Sequence, residues 1–259
     1  MSGPGAATVE LADVARWYGN VVAVNGISFT LGPGVTGLLG PNGAGKSTLL
    51  HMIAGLLRPS AGAVTVDGRA TYGDPEVFRR VGLVPEREAV FAYLTGREFV
   101  RLNADLQGLA APGAATDRAL ATVELSDAAD RGLGTYSKGM RQKILISAAL
   151  LHDPSVLVFD EPLSGLDVTA ALVVRHLVRE LARAGKMVLY SSHMLEVVEK
   201  ICSEVIVLHR GRVVAHDSVE KLREIMALES LEEVFAELTR QEDPAVAARD
   251  IVGVMAAGR

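Results

Sequence analysis

Residues 40–47, GPNGAGKS, have the composition and spacing of a phosphate-binding loop. They fit the pattern G-x-x-x-x-G-K-[ST], and they lie between a short apolar run and a stretch of helical periodicity. Glycines in such a loop let backbone N–H groups turn toward phosphate oxygens. Lys46 would supply a cation for the outer phosphates, and Ser47 would offer a hydroxyl oxygen to Mg²⁺. The alternative, a glycine-rich turn that matches by chance, is disfavoured by the strand–loop–helix context.

Two adjacent carboxylates end a second apolar run, SVLVFDEP. The run shows no polar alternation, which is typical of a parallel strand covered on both faces. Asp160 would hold Mg²⁺ through water, and Glu161 would polarise an attacking water and accept its proton. A solvated acidic turn is the alternative, since acidic residues are common at strand ends. The presence of a phosphate loop in the same chain favours the chemical role.

His193 ends the next apolar run, KMVLYSSH, directly after Ser191 and Ser192. A histidine here could donate a hydrogen bond to a terminal phosphate and hold the attacking water in place. A single histidine is more often structural. Its position at the carboxyl edge of a parallel sheet favours the functional role.

Residues 136–143, YSKGMRQK, predict a helix whose start could bind a second anion. Ser137 is a favourable N-cap, and the first N–H groups of a helix have no partner within it. Apolar side chains follow at helical spacing: Met140, Ile144, Leu145, Ala148 and Ala149. From these residues alone, an ordinary capped helix of the core is the favoured interpretation.

The remaining patterns predict the elements that must position these motifs. Residues 7–36 favour antiparallel strands with a hairpin, and residues 49–57 favour a helix that Pro59 ends. VTGLLG and VGLVPE favour short strands, whereas 98–124 (broken at APG) and 168–184 favour helices. Residues 203–217 favour a hairpin near Arg210 and Gly211. A last helix is predicted near the end of the chain, with an apolar face formed by Leu231, Val234, Phe235 and Leu238. Strands alternating with helices predict an α/β fold with a mostly parallel sheet, whose ligands gather at the carboxyl ends of the strands.

Length and composition fit one large domain, or a core with a smaller lobe: the chain has 259 residues, of which 49% are hydrophobic. The net charge of −5 gives no electrostatic case for nucleic acid or an anionic membrane surface. Cys202 is the single cysteine, so an internal disulfide is excluded and a reducing compartment is expected. No secretory signal and no apolar run of membrane-spanning length is expected.

These motifs, in this order, resemble the ATP-binding cassette of ABC transporters over nearly the whole chain to about residue 220. YSKGM resembles the family's signature motif, usually written LSGGQ. SGLD, residues 164–167, matches its D-loop, and SSH matches its histidine switch. Tyr18 in WYG matches the aromatic residue that stacks on adenine. Each short motif is weak alone, but their combined order is specific.

The resemblance implies a P-loop NTPase (RecA-like) core with an N-terminal antiparallel β-subdomain and an inserted α-helical subdomain at about 88–152. The ATPase domain would span 7–220. Residues 221–259 would form a helical extension and tail.

The resemblance also implies ATP and Mg²⁺ as cofactors. Glu161, His193 and Lys46 would be catalytic, and Ser47, Glu86 and Asp160 would bind the metal. In this family two cassettes pack head to tail, and each ATP lies between the phosphate loop of one and the signature helix of the other. The nucleotide-binding residues would be Tyr18, Asn42, Gly43, Gly45, Lys46, Ser47, Thr48, Ser137, Gly139 and Asp167.

Three residues depart from the family's commonest spelling. Lys138 replaces the first glycine of the signature motif, and Met140 replaces its glutamine. Spellings such as YSKGM resemble the drug- and lipid-exporter branch. Glu86 stands where most relatives have a glutamine; its carboxylate can bind Mg²⁺ but cannot donate a hydrogen bond when ionised.

The function implied is that of the ATP-hydrolysing subunit of an exporter, working with a transmembrane permease and a second nucleotide-binding subunit, identical or different. Such a protein would be cytoplasmic and bound through the permease to the inner face of the membrane. Residues 90–94 would border the groove that receives a permease helix, with packing in the core of the helical lobe as an equal alternative. One alternative is a soluble ABC ATPase that acts on a non-transport target, which the single cassette and the acidic charge disfavour. Another is a regulatory cassette that binds ATP without hydrolysing it. This second alternative is disfavoured by the presence of the expected catalytic and metal-binding residues Lys46, Asp160, Glu161 and His193.

Overall fold

The computed structural model of the chain describes residues 7–86, 90–164, 166–192 and 195–226, together with Glu233 and Phe235. The strands of this part are β1 (Val9–Tyr18), β2 (Val21–Leu31), β3 (Gly34–Leu39), β4 (Ala61–Val66), β5 (Arg69–Ala70), β6 (Val81–Val84), β7 (Val156–Asp160), β8 (Met187–Ser191), β9 (Glu204–His209) and β10 (Arg212–Ser218). Its α-helices are α1 (Lys46–Ile53), α2 (Pro75–Phe78), α3 (Gly96–Leu106), α4 (Pro112–Thr122), α5 (Lys138–Leu150), α6 (Val168–Arg183), α7 (Leu195–Ile201) and α8 (Val219–Met226). None of the described helices is long and apolar enough to cross a membrane.

The strands form two sheets. The larger has the order β10-β9-β3-β8-β7-β6, and all its neighbouring pairs are parallel except β9 with β10. The smaller sheet, β2-β1-β4-β5, is antiparallel. Every residue of β7 and β8 is buried, as the unbroken apolar runs indicate. The predicted α/β fold with an antiparallel N-terminal sheet is confirmed.

Alternate residues of the central strands enter different cores, because successive side chains of a strand point to opposite faces. Leu157 and Phe159 of β7 belong to the core on one face, which also contains side chains of α3, α5 and α6. Val156 and Val158 belong to the other, which contains side chains of α1 and the antiparallel sheet. The larger sheet is therefore a middle layer with apolar packing on both sides, and the polar residues Asp160 and Ser191 lie at the carboxyl ends of its strands.

Helix α1 is shorter than its apolar pattern predicts. It ends at Ile53, six positions before Pro59, so the prediction that Pro59 ends it is wrong. Gly55 adopts a φ of +74°, and an added Cβ there would lie 2.5 Å from the carbonyl oxygen of Thr71. The left-handed glycine and the close approach of the backbone stop the helix before the proline is reached.

Three helices between β6 and β7 form a lobe, and its best-defined anchor is Tyr136. The Tyr136 side chain is 3% exposed, and its hydroxyl donates to the carbonyl oxygen of Ala128 at 2.7 Å. Burial raises the pKa of the Tyr136 phenol, so the hydroxyl remains a donor. Gly96, at the start of α3, packs so closely that an added Cβ would lie 2.3 Å from this hydroxyl. Tyr136 thus ties α3 to the segment that leads into α5.

We expect Tyr136→Phe to lower the free energy of unfolding by about 1 kcal/mol, because it removes one buried hydrogen bond and leaves the Ala128 carbonyl without this donor. Urea titration at neutral pH measures the change. The control is Tyr93→Phe, which deletes the same hydroxyl from a side chain that is 79% exposed. Equal stabilities of the two variants would contradict the anchoring role of Tyr136.

Candidate active site

The carboxyl ends of the parallel strands bring the sequence motifs to one edge of the larger sheet. The phosphate loop follows β3, Glu86 follows β6, and Asp160 and Ser191 end β7 and β8. The strand register pairs Ser191 with Leu38 on one side and with Asp160 on the other. The loop, Ser191 and the acidic pair therefore occupy consecutive positions along the edge, as the topology of such sheets predicts for a ligand site.

The phosphate loop owes its shape to glycine at position 45. Gly45 is the N-cap of α1 with a φ of +105°, and an added Cβ would lie 2.3 Å from the carbonyl oxygen of Ala23. Any other L-residue at this position would adopt an unfavourable positive φ, and its Cβ would clash with the backbone of β2. Gly43 has a φ of +80° and open space at its Cβ position. The loop is thus closed against β2 on one side and open on the other, where N–H groups at the start of α1 can receive an anion.

Lys46 lies inside this loop. Its side chain is buried, and Nζ donates to the carbonyl oxygens of Gly40 at 2.7 Å and Pro41 at 3.3 Å. An ammonium group has three donors, so one N–H is left for an oxygen of a bound phosphate. Ser47 and Thr48 follow in the first turn of α1, half-buried, whereas Asn42 is exposed at the tip of the loop.

A second backbone contact, which the sequence did not indicate, braces the same loop. The N–H of Gly211 donates to the carbonyl oxygen of Ala44 at 3.0 Å, and the carbonyl of Gly211 accepts from the Asn25 N–H at 2.8 Å. Gly211 lies in the turn between β9 and β10, where the sequence predicted it. The turn therefore joins the phosphate loop to β2.

One buried hydroxyl organises the acidic pair. Ser191 Oγ donates to Asp160 Oδ1 at 2.6 Å and accepts from the Glu161 N–H at 3.0 Å. Ser191 is fully buried, and Asp160 is 3% exposed. The sequence pattern included Ser191 only as the first letter of SSH; the adjacency of β7 and β8, which gives it this role, has no signal in the local sequence.

The backbone at Glu161 is in the left-handed region, with a φ of +47°. This conformation costs a non-glycine residue about 1–2 kcal/mol, and the Ser191 hydrogen bond helps to hold it. Tyr190, the neighbour of Ser191, points into the core; burial raises the pKa of its phenol well above the usual value, and the Glu161 carboxylate adds to the shift. Tyr190 therefore stays neutral, and Glu161 is the better candidate for a general base.

Tyr18 ends β1 with its side chain 48% exposed. The guanidinium carbon of Arg16 lies 4.6 Å from the centroid of the Tyr18 ring, as in a cation–π contact. Arg16 is itself held by a hydrogen bond from Nη1 to the carbonyl oxygen of Arg58 at 3.2 Å. Arg16 thus covers part of the ring, and nearly half of the Tyr18 side chain stays exposed for stacking. The sequence did not predict the part played by Arg16.

The signature segment forms the predicted helix start. Ser137 is the N-cap of α5, its Oγ accepts from the Met140 N–H at 3.2 Å, and Lys138 is the first helical residue. Ser137 and Lys138 are exposed, and an added Cβ at Gly139 would meet nothing within 4 Å. No hydrogen bond between described residues joins this helix start to the phosphate loop. The anion site that it offers is therefore open to solvent.

Three other predicted site residues have different placements. Asp167 is exposed and caps α6, with Oδ1 accepting from the Ala170 N–H at 2.8 Å. Glu86 is exposed just after β6. His193 lies outside the described residues, so its predicted role stays a prediction.

The comparisons with known proteins agree with this geometry. A family model described as "ABC transporter" matches residues 24–164. The chain is 39% identical over 236 residues to the ABC transporter ATP-binding protein NatA of Bacillus subtilis, covering 88% of this chain and 96% of NatA. It is 36% identical over 225 residues to the Nod factor export ATP-binding protein I of Burkholderia orbicola, covering 84% and 73% of the two chains.

A solved structure, described as the ATP binding subunit of an ABC transporter, superposes with a TM-score of 0.81 at 32% identity. The match covers 89% of this chain and 98% of that one. The fold is thus the P-loop NTPase fold that the resemblance implied. The chain belongs to the ABC transporter family, as an ATP-binding subunit with ATPase activity.

Proposed function

We propose that this subunit powers an exporter: two nucleotide-binding subunits enclose Mg²⁺ and ATP between them, and their closure drives a separate transmembrane permease. The observation that carries the proposal is the presence of two anion-binding features in one chain. The phosphate loop lies at the sheet edge, while the exposed start of α5 has no hydrogen bond to that loop within the described residues. A second subunit facing the opposite way would bring the two features together.

Residues of the sheet edge fit a magnesium–nucleotide complex. The loop has no room for a side chain at Gly45, and it contains the cationic Lys46. The buried carboxylate of Asp160 lies at the same end of the sheet. These groups suit a polyphosphate with a hydrated divalent ion. Ser47 and Asp160 would hold the metal, with Glu86 as a further oxygen donor. When bound, Mg²⁺ would neutralise charge on the phosphates. Ser191 fixes the Asp160 carboxylate in place, so the metal would meet an oriented acceptor.

Glu161 would accept the proton of the attacking water. Its backbone N–H donates to the Ser191 hydroxyl, and its φ of +47° ends the extended path of the strand. His193 would hold the water and the terminal phosphate, as the family resemblance implies. Tyr18, backed by Arg16, would stack on the adenine.

The closing interaction would come from the partner subunit. Ser137 accepts from the Met140 N–H, but its own O–H is still able to donate to a phosphate oxygen. The start of α5 favours the more negative triphosphate over the diphosphate, and Lys138 adds a cation there. ATP would therefore bring two subunits together, and hydrolysis would release them.

Side chains of the segment at 90–94 differ in burial, and this difference supports a contribution to both of the roles that the sequence left open. Val90 and Leu94 pack against the core of the helical lobe. Phe91 and Tyr93 are 52% and 79% exposed, and their ring centroids lie 5.7 Å apart. Such an exposed aromatic pair suits a helix-in-groove contact with a permease. This contact would place the subunit at the inner face of the membrane, and the similarity to an export protein favours export.

We expect Glu161→Gln to bind ATP with nearly unchanged affinity but to hydrolyse it roughly a hundredfold more slowly or worse, because an amide cannot take the proton of water. Steady-state turnover and equilibrium ATP binding measure the two effects, and size-exclusion chromatography in ATP should show a persistent dimer. The control is Glu180→Gln on the exposed face of α6. Turnover like that of the unmodified protein would remove Glu161 from the mechanism.

We expect Ser191→Ala to lower turnover roughly tenfold, since it removes a hydrogen bond to the Asp160 carboxylate and another from the Glu161 N–H. The Mg²⁺ concentration for half-maximal turnover should rise, while ATP binding without metal should not change. Ser147→Ala is the matched control, because Ser147 is another buried serine whose Oγ donates only to a helix carbonyl, that of Ile144 at 2.9 Å. An unchanged Mg²⁺ dependence in Ser191→Ala would contradict the positioning of Asp160.

We expect single cysteines at positions 91 and 93 to cross-link to a co-purified permease, whereas a cysteine at the exposed Leu106, at the far end of α3, should not. Cys202 can stay in the background, because burial raises the pKa of its thiol well above the usual value and keeps it unreactive. The absence of cross-links at both test positions would count against this groove.

A further inference from the structure

A cleft of about 580 Å³ lies between α4, α5 and α6. Neither the phosphate loop nor the acidic pair lines it, whereas Gly139 does, so the cleft adjoins the start of α5 and not the phosphate loop. Its volume falls within the range of small-molecule sites, which are mostly apolar with a few polar groups that orient the ligand.

The walls of the cleft are largely apolar. They include Ala119 of α4, Ile146 and Leu150 of α5, and Val173 and Leu177 of α6. Val173 is 58% exposed, so the apolar surface opens to solvent along α6. The α5 residues lining the cleft run from Gly139 to Leu150, which is about 16 Å along a helix axis. An extended apolar chain could follow this run of α5 residues.

A polar group without a partner lies in the same wall. Gln142 is 8% exposed, and its amide Nε2 has no hydrogen-bond partner among the residues that the structure describes. Most buried side-chain amides are hydrogen-bonded, and one that is not can be satisfied by water or by an acceptor on a ligand. Because Gln142 lines the cleft, a ligand oxygen that entered it could accept from this N–H.

The charges at the mouth of the cleft favour the same kind of ligand. Arg118 of α4 and Lys143 of α5 both line it, and Lys143 Nζ lies 3.5 Å from Glu124 Oε2 in an exposed ion pair. Exposed pairs of this kind are weak, so Lys143 can turn to another anion at little cost. Glu124 also lines the cleft, so two cations and one carboxylate leave a net charge of about +1. Together with the donor amide, this positive charge favours a ligand with a negatively charged oxygen acceptor.

We propose that this cleft binds a free single-chain amphiphile, whose apolar chain lies along α5 and whose carboxylate or similar oxygen head group meets Gln142, Arg118 and Lys143. The ligand would contact Gly139 at the start of α5 and Leu166 just before α6, so it would change how these two helices are presented to a partner subunit. This regulatory consequence rests on the proposed function, whereas binding itself does not.

The first experiment measures binding of dodecanoate, below its micelle-forming concentration, to the full chain without nucleotide by isothermal titration calorimetry. We expect one saturable site, with dodecyltrimethylammonium binding roughly tenfold more weakly because it offers no acceptor and carries the wrong charge. Ala119→Phe fills the cleft and should weaken dodecanoate binding roughly tenfold or more. Ala121→Phe, the same change at an exposed position of α4 that does not line the cleft, should leave it within about twofold.

A second variant guards against misfolding of Ala119→Phe. Gln142→Leu keeps nearly the same volume and removes the donor, so dodecanoate should bind roughly tenfold more weakly while dodecyltrimethylammonium is unaffected. The proposal would be overturned if dodecanoate binding did not saturate, or if the two phenylalanine variants bound dodecanoate equally well. It would also be overturned if Gln142→Leu weakened the binding of both probes equally. Association only with phosphatidylglycerol vesicles, and not with monomeric dodecanoate, would also overturn it, because it would indicate a membrane surface rather than a free amphiphile.

The final experiment separates the site from its regulatory consequence. Saturating dodecanoate should change ATP turnover of the unmodified chain by at least about twofold and leave turnover of Ala119→Phe unchanged. Binding without any change in turnover would overturn the regulatory part alone. Loss of turnover in all samples would instead count against the proposed function, while the calorimetric result would stand.

Discussion

The burial of the central strands on both faces is the constraint on which the site depends. Every residue of β7 and β8 is buried, and the hydrogen-bonded polar side chains of these two strands, Asp160 and Ser191, lie where the strands end. Ser191 meets this constraint by pairing with Asp160 and with the Glu161 backbone. The same packing that builds the core thus fixes the Asp160 carboxylate and the Glu161 backbone at the carboxyl ends of the strands.

The phosphate loop depends on a different constraint, the close approach of three backbones. Gly45 and Gly211 both pack against Ala23, where an added Cβ would lie 2.3 Å and 2.8 Å from its carbonyl oxygen. Gly211 also donates to Ala44 within the loop. The loop is therefore positioned by the antiparallel sheet and by the β9–β10 turn, which are remote in sequence. This arrangement explains why a nucleotide site formed after β3 requires both sheets to be assembled.

The sequence was most informative where the chemistry is local. Spacing alone predicted the phosphate loop, and apolar periodicity predicted β7, β8, α5 and α6. Contacts between distant segments left no local signal: Arg16 over Tyr18, Gly211 against Ala44, and the cleft between three helices could not be predicted. The early end of α1 has the same origin, because the approach of Thr71 to Gly55 outweighs the apolar pattern that continues beyond it.

Two helix caps show how one structural role permits different chemistry. Ser137 and Asp167 both accept from a backbone N–H at the start of their helices. The serine hydroxyl accepts and donates at once, so it can cap α5 and still donate to a phosphate oxygen. An ionised carboxylate only accepts, so Asp167 would need a bridging water or cation to contact a triphosphate. Its direct effect is to fix the start of α6, and residues of both α5 and α6 line the cleft described above. A change in the relative orientation of α5 and α6 would therefore move Ser137 and Asp167 relative to each other. It would alter the surface that these two helix starts present to the nucleotide bound by the partner subunit.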